Sequence, residues 1–391
     1  MDATTTPILE IGLILLAAVA GGYLARRLGL PAIVGYLAVG LAFSPFTPGY
    51  VADHTQLELL ADVGVVLLLF EVGIEVDIGR LRSDHGPILW AAPAQVFLTT
   101  AIAGIAFAAA GLQPVAAALV GLCVALSSSV VIVNITVSRK RTTDRPTEVA
   151  LLGWSVIQDL VGVALAAILL AAIDPGRRSL AEAALGLGGF ALVSVAVARV
   201  LPWVLRHLRD EHDLFLITSV GSGLALAGLG AAIFGVPLAL AAFVGGLAVA
   251  ESHEAAEARR RLRPFRDVFA VLFFVAIGTL IDPSRLGAAA PWIVLLLGLV
   301  AVAKVGVAWA LARVARLEVR PVQLAVGLGQ IGEFSFVLAS AAAAAEAIDA
   351  TLFTAVIAAV AGSIAVSSTM VRRVGAPRRP EPDEASVAAA S

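Results

Sequence analysis

Charge is what this chain has least of. Only 14% of its 391 residues are Asp, Glu, Lys or Arg, where a soluble domain carries about a quarter. Lysine occurs twice, as Lys140 and Lys304. The one cysteine, Cys123, lies in an apolar run, which excludes an intramolecular disulfide and a multi-cysteine metal site. The five histidines (His54, His85, His207, His212, His253) lack metal-ligand spacing and read as loop residues. No nucleophile–base constellation appears, so the reading is not an enzyme. No basic excess points to nucleic acid, and nothing calls for a cofactor. What remains is apolar: 60% hydrophobic, with a mean hydropathy of +0.96. Such a chain is an all-α polytopic membrane protein in the lipid bilayer.

Apolar runs of about 17–25 residues predict about thirteen spans. These are roughly 7–25, 31–46, 57–76, 87–110, 114–137, 148–173, 179–203, 213–231, 236–252, 265–282, 289–312, 321–345 and 351–371. The first run has no basic stretch before it and Arg26 and Arg27 after it, the pattern of a retained span. With the N-terminus outside, twenty-two Lys and Arg fall in inner loops and the C-terminal tail. Only Arg177, Arg178 and Arg285 fall outside. The positive-inside rule then gives a cell (inner) membrane protein with a cytoplasmic C-terminus. Residues 1–373 form the membrane domain. The Pro-, Ala- and Glu-rich stretch 374–391 reads as a disordered tail, with no soluble domain after it.

Two stretches recur. Gly29-Leu-Pro31 through Gly40-Leu41 matches Gly235-Val-Pro237 through Gly246-Leu247. Asp62, Gly73, Asp77, Arg80 and Leu81 match Asp267, Gly278, Asp282, Arg285 and Leu286. Equivalent spans lie seven apart, an odd number, so the copies face opposite ways across the membrane. Six-helix inverted repeats are a secondary-transporter architecture, with the site between them at mid-membrane. Helix-weakening residues fall at corresponding places in the two copies. These are Ser127, Ser128 and Ser129 in the fifth span, and Gly327, Gly329 and Gly332 in the twelfth. The glycines formally spell G-x-G-x-x-G, but no strand precedes them and a dinucleotide site is rejected.

Three ionisable groups stand out within spans. Asp159 lies near the middle of the sixth, where a carboxylate costs roughly 2.5–3.5 kcal/mol to insert. It reads either as an acid gluing helices or as a site that takes up a proton and a cation by turns. Glu333, in the second break, suits the positive ends of half-helices. Lys304, central in span eleven, needs a counter-charge, with Asp159 and Glu333 as candidates and Glu71 and Glu75 weaker ones. Glu71 itself reads as either packing or part of an ion path.

The stretch Val65 to Asp77, ending Gly73-Ile-Glu75-Val-Asp77, resembles a motif of the monovalent cation:proton antiporter-2 family. That family includes Kef-type potassium-efflux systems and sodium/proton exchangers. Leu126-Ser-Ser-Ser-Val-Val131 and Gly329-Gln330-Ile-Gly332-Glu333-Phe334-Ser-Phe336 look like its two crossover helices. Gln158-Asp159 looks like the Kef-type pair at the position where electrogenic members carry two aspartates. The resemblance spans about residues 7–373. It implies an NhaA/NapA-like fold with two crossed broken helices, a core subdomain and a dimerisation subdomain interleaved in sequence, and elevator-like movement as a homodimer. It implies that Asp159 binds cation and proton in turn, with Gln158, Ser127 and Ser129 lining the site. Glu333 and Lys304 would compensate charge, with Lys304 pairing with Asp159 in the empty state. The transported ions would be K+ (favoured) or Na+, and H+, in electroneutral exchange. The absence of a C-terminal nucleotide-binding domain leaves room for a separate regulatory subunit. A gated cation channel and an organic-anion symporter are the competing classes.

Overall fold

The structure, a computed structural model, describes residues 5–28, 30–47, 54–75, 86–128, 131–132, 143–173, 180–236, 238–250, 254–332 and 334–374. Among these residues every regular element is helical. In chain order they are α1 (Thr5–Arg27), α2 (Ala32–Ala42), α3 (His54–Glu75), α4 (Ile88–Ala109), α5 (Pro114–Ala125), α6 (Arg145–Ile173), α7 (Leu180–His207), α8 (His212–Ala232), α9 (Leu238–Ala250) and α10 (Ala255–Thr279). A 3-10 turn, Pro283–Arg285, leads into α11 (Leu286–Leu299). A π-helical segment, Val300–Lys304, joins α11 to α12 (Val305–Val314). Last come α13 (Pro321–Leu328), α14 (Phe334–Ala344) and α15 (Ala350–Val374). Seven candidate spans among the described residues are long and apolar enough to cross a bilayer, and the protein is a multi-pass membrane protein.

The helices pack as two groups. α10 runs along α2 and α3, α9 lies on α3, α1 on α2 and α8 on α9. In the second group α4 lies against α5 and α6, α11 against α15, α12 against α13, and α14 against α5 and α15. α7 packs chiefly on α9. The groups meet along an apolar seam. There Phe336 of α14 meets Phe273 and Phe274 of α10 edge-on, with ring centroids 6.4 and 5.9 Å apart.

The sequence repeat reappears as a repeat of contacts. A Cβ on Gly40 would lie 2.0 Å from the Val275 carbonyl and 2.7 Å from Gly278 Cα. A Cβ on Gly246 would lie 2.1 Å from the Phe70 carbonyl and 2.8 Å from Gly73 Cα. Gly246 is the repeat equivalent of Gly40, and Gly73 that of Gly278. Each contact maps onto the other when the two copies are exchanged, as a two-fold relation between inverted repeats requires. No side chain fits where backbones approach this closely.

Two boundaries depart from the hydropathy reading. Hydropathy predicts a tenth span from about 265, but α10 starts at Ala255. Hydropathy marks the bilayer, not the helix. Glu257 forms ion pairs with Arg260 and Arg261 at helical spacing, carrying the helix out of the apolar zone. The eleventh span is a single rod interrupted by a π-helical turn, which no residue pattern announces. The shared Asp-x-x-Arg of the repeat acquires a local reason in its second copy. Asp282 caps the 3-10 turn, accepting from the Ser284 hydroxyl and backbone N–H, and pairs with Arg285 at 2.9 Å. The Ser284 hydroxyl, first of these, holds its carboxyl below the usual aspartate range. The first copy, from Asp77 to Leu81, lies outside the described residues, as does the tail from 375 onward.

Candidate functional site

The two helix breaks occur where glycine and serine foretell them. α5 stops at Ala125, and Leu126 is extended (φ −84°, ψ 142°). α13 stops at Leu328 with Gly329 as its cap, and helix resumes at Phe334. A helix that stops in mid-membrane leaves carbonyls that water cannot reach, and each needs an internal donor.

Each break supplies donors to the other. Gly332 N–H donates to the Leu126 carbonyl at 2.9 Å, and the Ser127 hydroxyl donates to the Leu328 carbonyl at 2.9 Å. The Gln330 amide donates to the Ser128 carbonyl at 3.3 Å. Ser335 Oγ donates to the Cys123 carbonyl at 3.0 Å. From α15, Ser363 accepts from Ile331 N–H and Ser367 donates to the Val326 carbonyl. The breaks therefore lie side by side as one crossing.

Lys304 spans that crossing. Its ammonium donates to the Leu126 carbonyl at 2.6 Å and to the Gln330 carbonyl. Both carbonyls follow the C-terminal ends of half-helices, where the helix dipole is negative. The side chain is fully buried. Asp159 is the acid whose field acts on it. The π-helical turn that ends at Lys304 rotates the rod at this point, a distortion found often at functional sites.

α6 presents two stripes to the crossing. Residues four apart share a face, so Ser155 and Asp159 form one stripe and Trp154 and Gln158 the next. All four are buried. The Ser155 hydroxyl, the Gln158 amide oxygen and the Gln330 amide oxygen are buried with no hydrogen-bond partner. Leaving a buried oxygen unpaired costs about 1–3 kcal/mol. Two of these oxygens, on Ser155 and Gln158, belong to the same helix as Asp159 and lie within about one turn of it, and oxygens of this kind suit a hard cation.

The structure thus brings together Asp159, Gln158, Ser127 and Lys304. Ser127 ties the two breaks through its hydrogen bond to Leu328. Ser129 and Glu333 lie outside the described residues. Glu71 is elsewhere. It lies in α3, of the other helix group, where Arg259 and Arg266 of α10 bind its two oxygens at 2.8 and 2.7 Å. Sequence reading passed over Ser155, although its spacing of four before Asp159 was there to be seen. It also passed over Gln95 in α4, a lone amide in a long apolar helix.

Comparisons with known proteins give the family and the fold. The profile of the family "Sodium/hydrogen exchanger, transmembrane" matches residues 14–376. A relative named "Putative cation/proton antiporter YbaL", from Escherichia coli (strain K12), is 32% identical over 333 aligned residues, and the match covers 81% of this chain. The chain spans 59% of that relative's length. The solved structure of the sodium proton antiporter MjNhaP1 from Methanocaldococcus jannaschii superposes with a TM-score of 0.73 at 19% identity. The match covers 95% of this chain and 98% of that one, and so shares the fold. The helical architecture of the described residues fits the match across nearly the whole chain, and that match leads to one conclusion: this protein belongs to the sodium/hydrogen exchanger transmembrane family, a family of transporters and not of enzymes.

Proposed function

We propose that the chain exchanges a monovalent cation for H+ by alternating access, with Asp159 as the shared binding group. One observation carries this reading. The Lys304 ammonium, buried and bonded to both helix breaks, lies within the field of the buried Asp159, and the amide oxygen of Gln158 beside that carboxylate in sequence has no partner. A carboxylate cannot hold a proton and a cation well at the same time. Filling it with one therefore releases the other, and coupling follows from competition at a single site. The cation takes its oxygens from Asp159, the Gln158 amide and neighbouring hydroxyls. When the site is empty, Lys304 supplies the compensating charge. Glu333 would offset positive half-helix ends beside it, and Ser129 would extend the polar lining from the first break.

K+ is the favoured cation and Na+ the alternative, on the strength of Gln158 where a second aspartate would make the pair doubly anionic. With one exchanging carboxylate, the cycle moves no net charge. The group carrying Asp159 and Lys304 moves against the other as a body, elevator-like, across the phenylalanine seam. The α1–α3 and α8–α10 group forms the homodimer contact. The N-terminus lies outside and the C-terminus in the cytoplasm of the cell membrane. Glu71 belongs to that static group. Its two arginines support a role as a tether between α3 and α10 in place of one in the ion path.

The test is reconstitution into proteoliposomes holding a pH-sensitive dye, with K+, Na+, Li+ and Rb+ offered separately. Cation-dependent proton flux is expected, and Asp159→Asn should abolish it while the protein still elutes as a folded species. Wild-type exchange by Asp159→Asn would overturn the reading.

A further inference from the structure

The least conspicuous residue of the site is Gln95 of α4, fully buried and joined by hydrogen bonds to both α5 and α6. Its amide oxygen accepts from Trp154 Nε1 at 3.3 Å and from the Gln158 amide nitrogen. Its amide nitrogen donates to Thr99 Oγ1 at 3.1 Å and to the Ala125 carbonyl at 3.3 Å. The Gln158 nitrogen also donates to the Ala125 carbonyl, at 3.4 Å.

The two ends of a glutamine amide look alike, and their assignment rests on neighbours. Here two neighbours act in one direction only. An indole N–H can only donate, so the atom of Gln95 that Trp154 meets is its oxygen. A backbone carbonyl can only accept, so the atoms of Gln95 and Gln158 that Ala125 meets are nitrogens. Both amides are therefore fixed. The Gln158 nitrogen spends its two hydrogens on Gln95 and Ala125. What is left over is the Gln158 oxygen, buried and without a partner, on the residue next to Asp159.

We propose that Gln95 is a positioning residue that holds the Gln158 amide with its oxygen, and not its NH2, free for the cation. If the amide turned over, NH2 donors would face the cation and repel it. Without the Gln95 acceptor one hydrogen of the buried NH2 goes unbonded, and the long 3.4 Å bond to the Ala125 carbonyl is left as its restraint against turning. Trp154 backs this arrangement by fixing Gln95 from the other side. The inference rests on the antiport reading above and deepens it: cation affinity, and not proton exchange at Asp159, is what Gln95 sets.

The experiment is cation-dependent proton flux in proteoliposomes with K+ or Na+, comparing wild type, Gln95→Leu, Gln95→Glu, Gln158→Met and the Gln95→Leu/Gln158→Met double variant. Gln95→Leu should raise the cation KM about tenfold while kcat and the pH profile stay within about twofold. Gln95→Glu, kept neutral by burial, has an acceptor for both donors and one O–H for the Ala125 carbonyl, and should not raise KM. In the Gln158→Met background, Gln95→Leu should have no further effect, because it acts through an amide that is no longer there. An unchanged KM in Gln95→Leu, or an equal further rise in the double variant, would overturn the proposal. If Gln95→Leu does not fold, Gln95→Glu carries the test, and a tenfold rise in its KM overturns the proposal just as well. A wild-type protein with no cation-coupled proton flux would instead remove the antiport reading. Wild-type flux with failed comparisons would remove only the role of Gln95.

Discussion

Lys304 offers the most direct quantitative test of how the site is held together. Its ammonium is the donor to the carbonyls of Leu126 and Gln330, at the ends of two half-helices in a fully buried position. Lys304→Ala removes that donor from both at once. Each buried carbonyl left unpaired costs about 1–3 kcal/mol. Gly332 N–H still reaches Leu126, which places that carbonyl at the low end. The sum is roughly 2–4 kcal/mol, above the usual cost of about 1 kcal/mol for a point substitution. Lys304→Gln supplies an amide with two hydrogens but no charge, on a side chain one atom shorter, and should recover part of the stability. Lys304→Arg keeps both charge and donors and should recover most of it. The assay is thermal unfolding of the detergent-solubilised protein, read as loss of the monodisperse peak. The midpoints should fall in the order wild type, Arg, Gln, Ala. Proton flux should follow charge instead, retained in part by Arg and lost in both Gln and Ala. A Lys304→Ala midpoint equal to wild type would refute the claim that this side chain ties the breaks together.

Three further outcomes follow from the geometry. Gly40→Ala and Gly246→Ala each force a methyl to within 2.0–2.1 Å of a carbonyl oxygen. Both should cost about 1–3 kcal/mol, and by nearly the same amount, since the repeat makes the sites equivalent; thermal unfolding that differed widely between them would argue against the symmetry. Glu71→Gln removes the carboxylate that Arg259 and Arg266 share, while Arg266 keeps its pair with Asp267. As both arginines are partly exposed (28% and 20%), the loss should be below the roughly 3–5 kcal/mol of a fully buried pair, with cation KM unchanged. A raised KM would place Glu71 in the ion path. Exchange at a single carboxylate moves no net charge, so a membrane potential worth about 2.3 kcal/mol per charge per 100 mV has nothing to act on. A current on solid-supported membranes, reversing with the cation gradient, would show that a second group carries a proton.

Much of this molecule could be read from order and composition. Membrane residence follows from apolar runs, because lipid leaves no alternative to internally bonded helices. The inverted repeat was visible in Gly40, Gly73, Gly246 and Gly278, since close backbone approach admits only glycine. The breaks at Ser127 and Gly329 were visible because those residues weaken a helix locally. Asp159 and Lys304 were conspicuous because charge is costly at their depth. Each of these is a property that a residue carries with its own position along the chain.

Partnership is different, since it depends on which atoms come within about 3 Å of one another. Only the tertiary structure put Gly40 against Gly278 and Gly73 against Gly246. Only there does Glu71 meet two arginines some 190 residues later in the chain, and Lys304 reach the carbonyls of two breaks. The sequence marked Lys304 as needing a counter-charge; folding gave it, besides the field of Asp159, two backbone dipoles. Gln95 was silent in the sequence, because one amide in an apolar helix carries no periodic or charge signal. Its meaning comes from an indole N–H and a carbonyl that act in one direction only, and these are brought to it from α6 and α5 by packing.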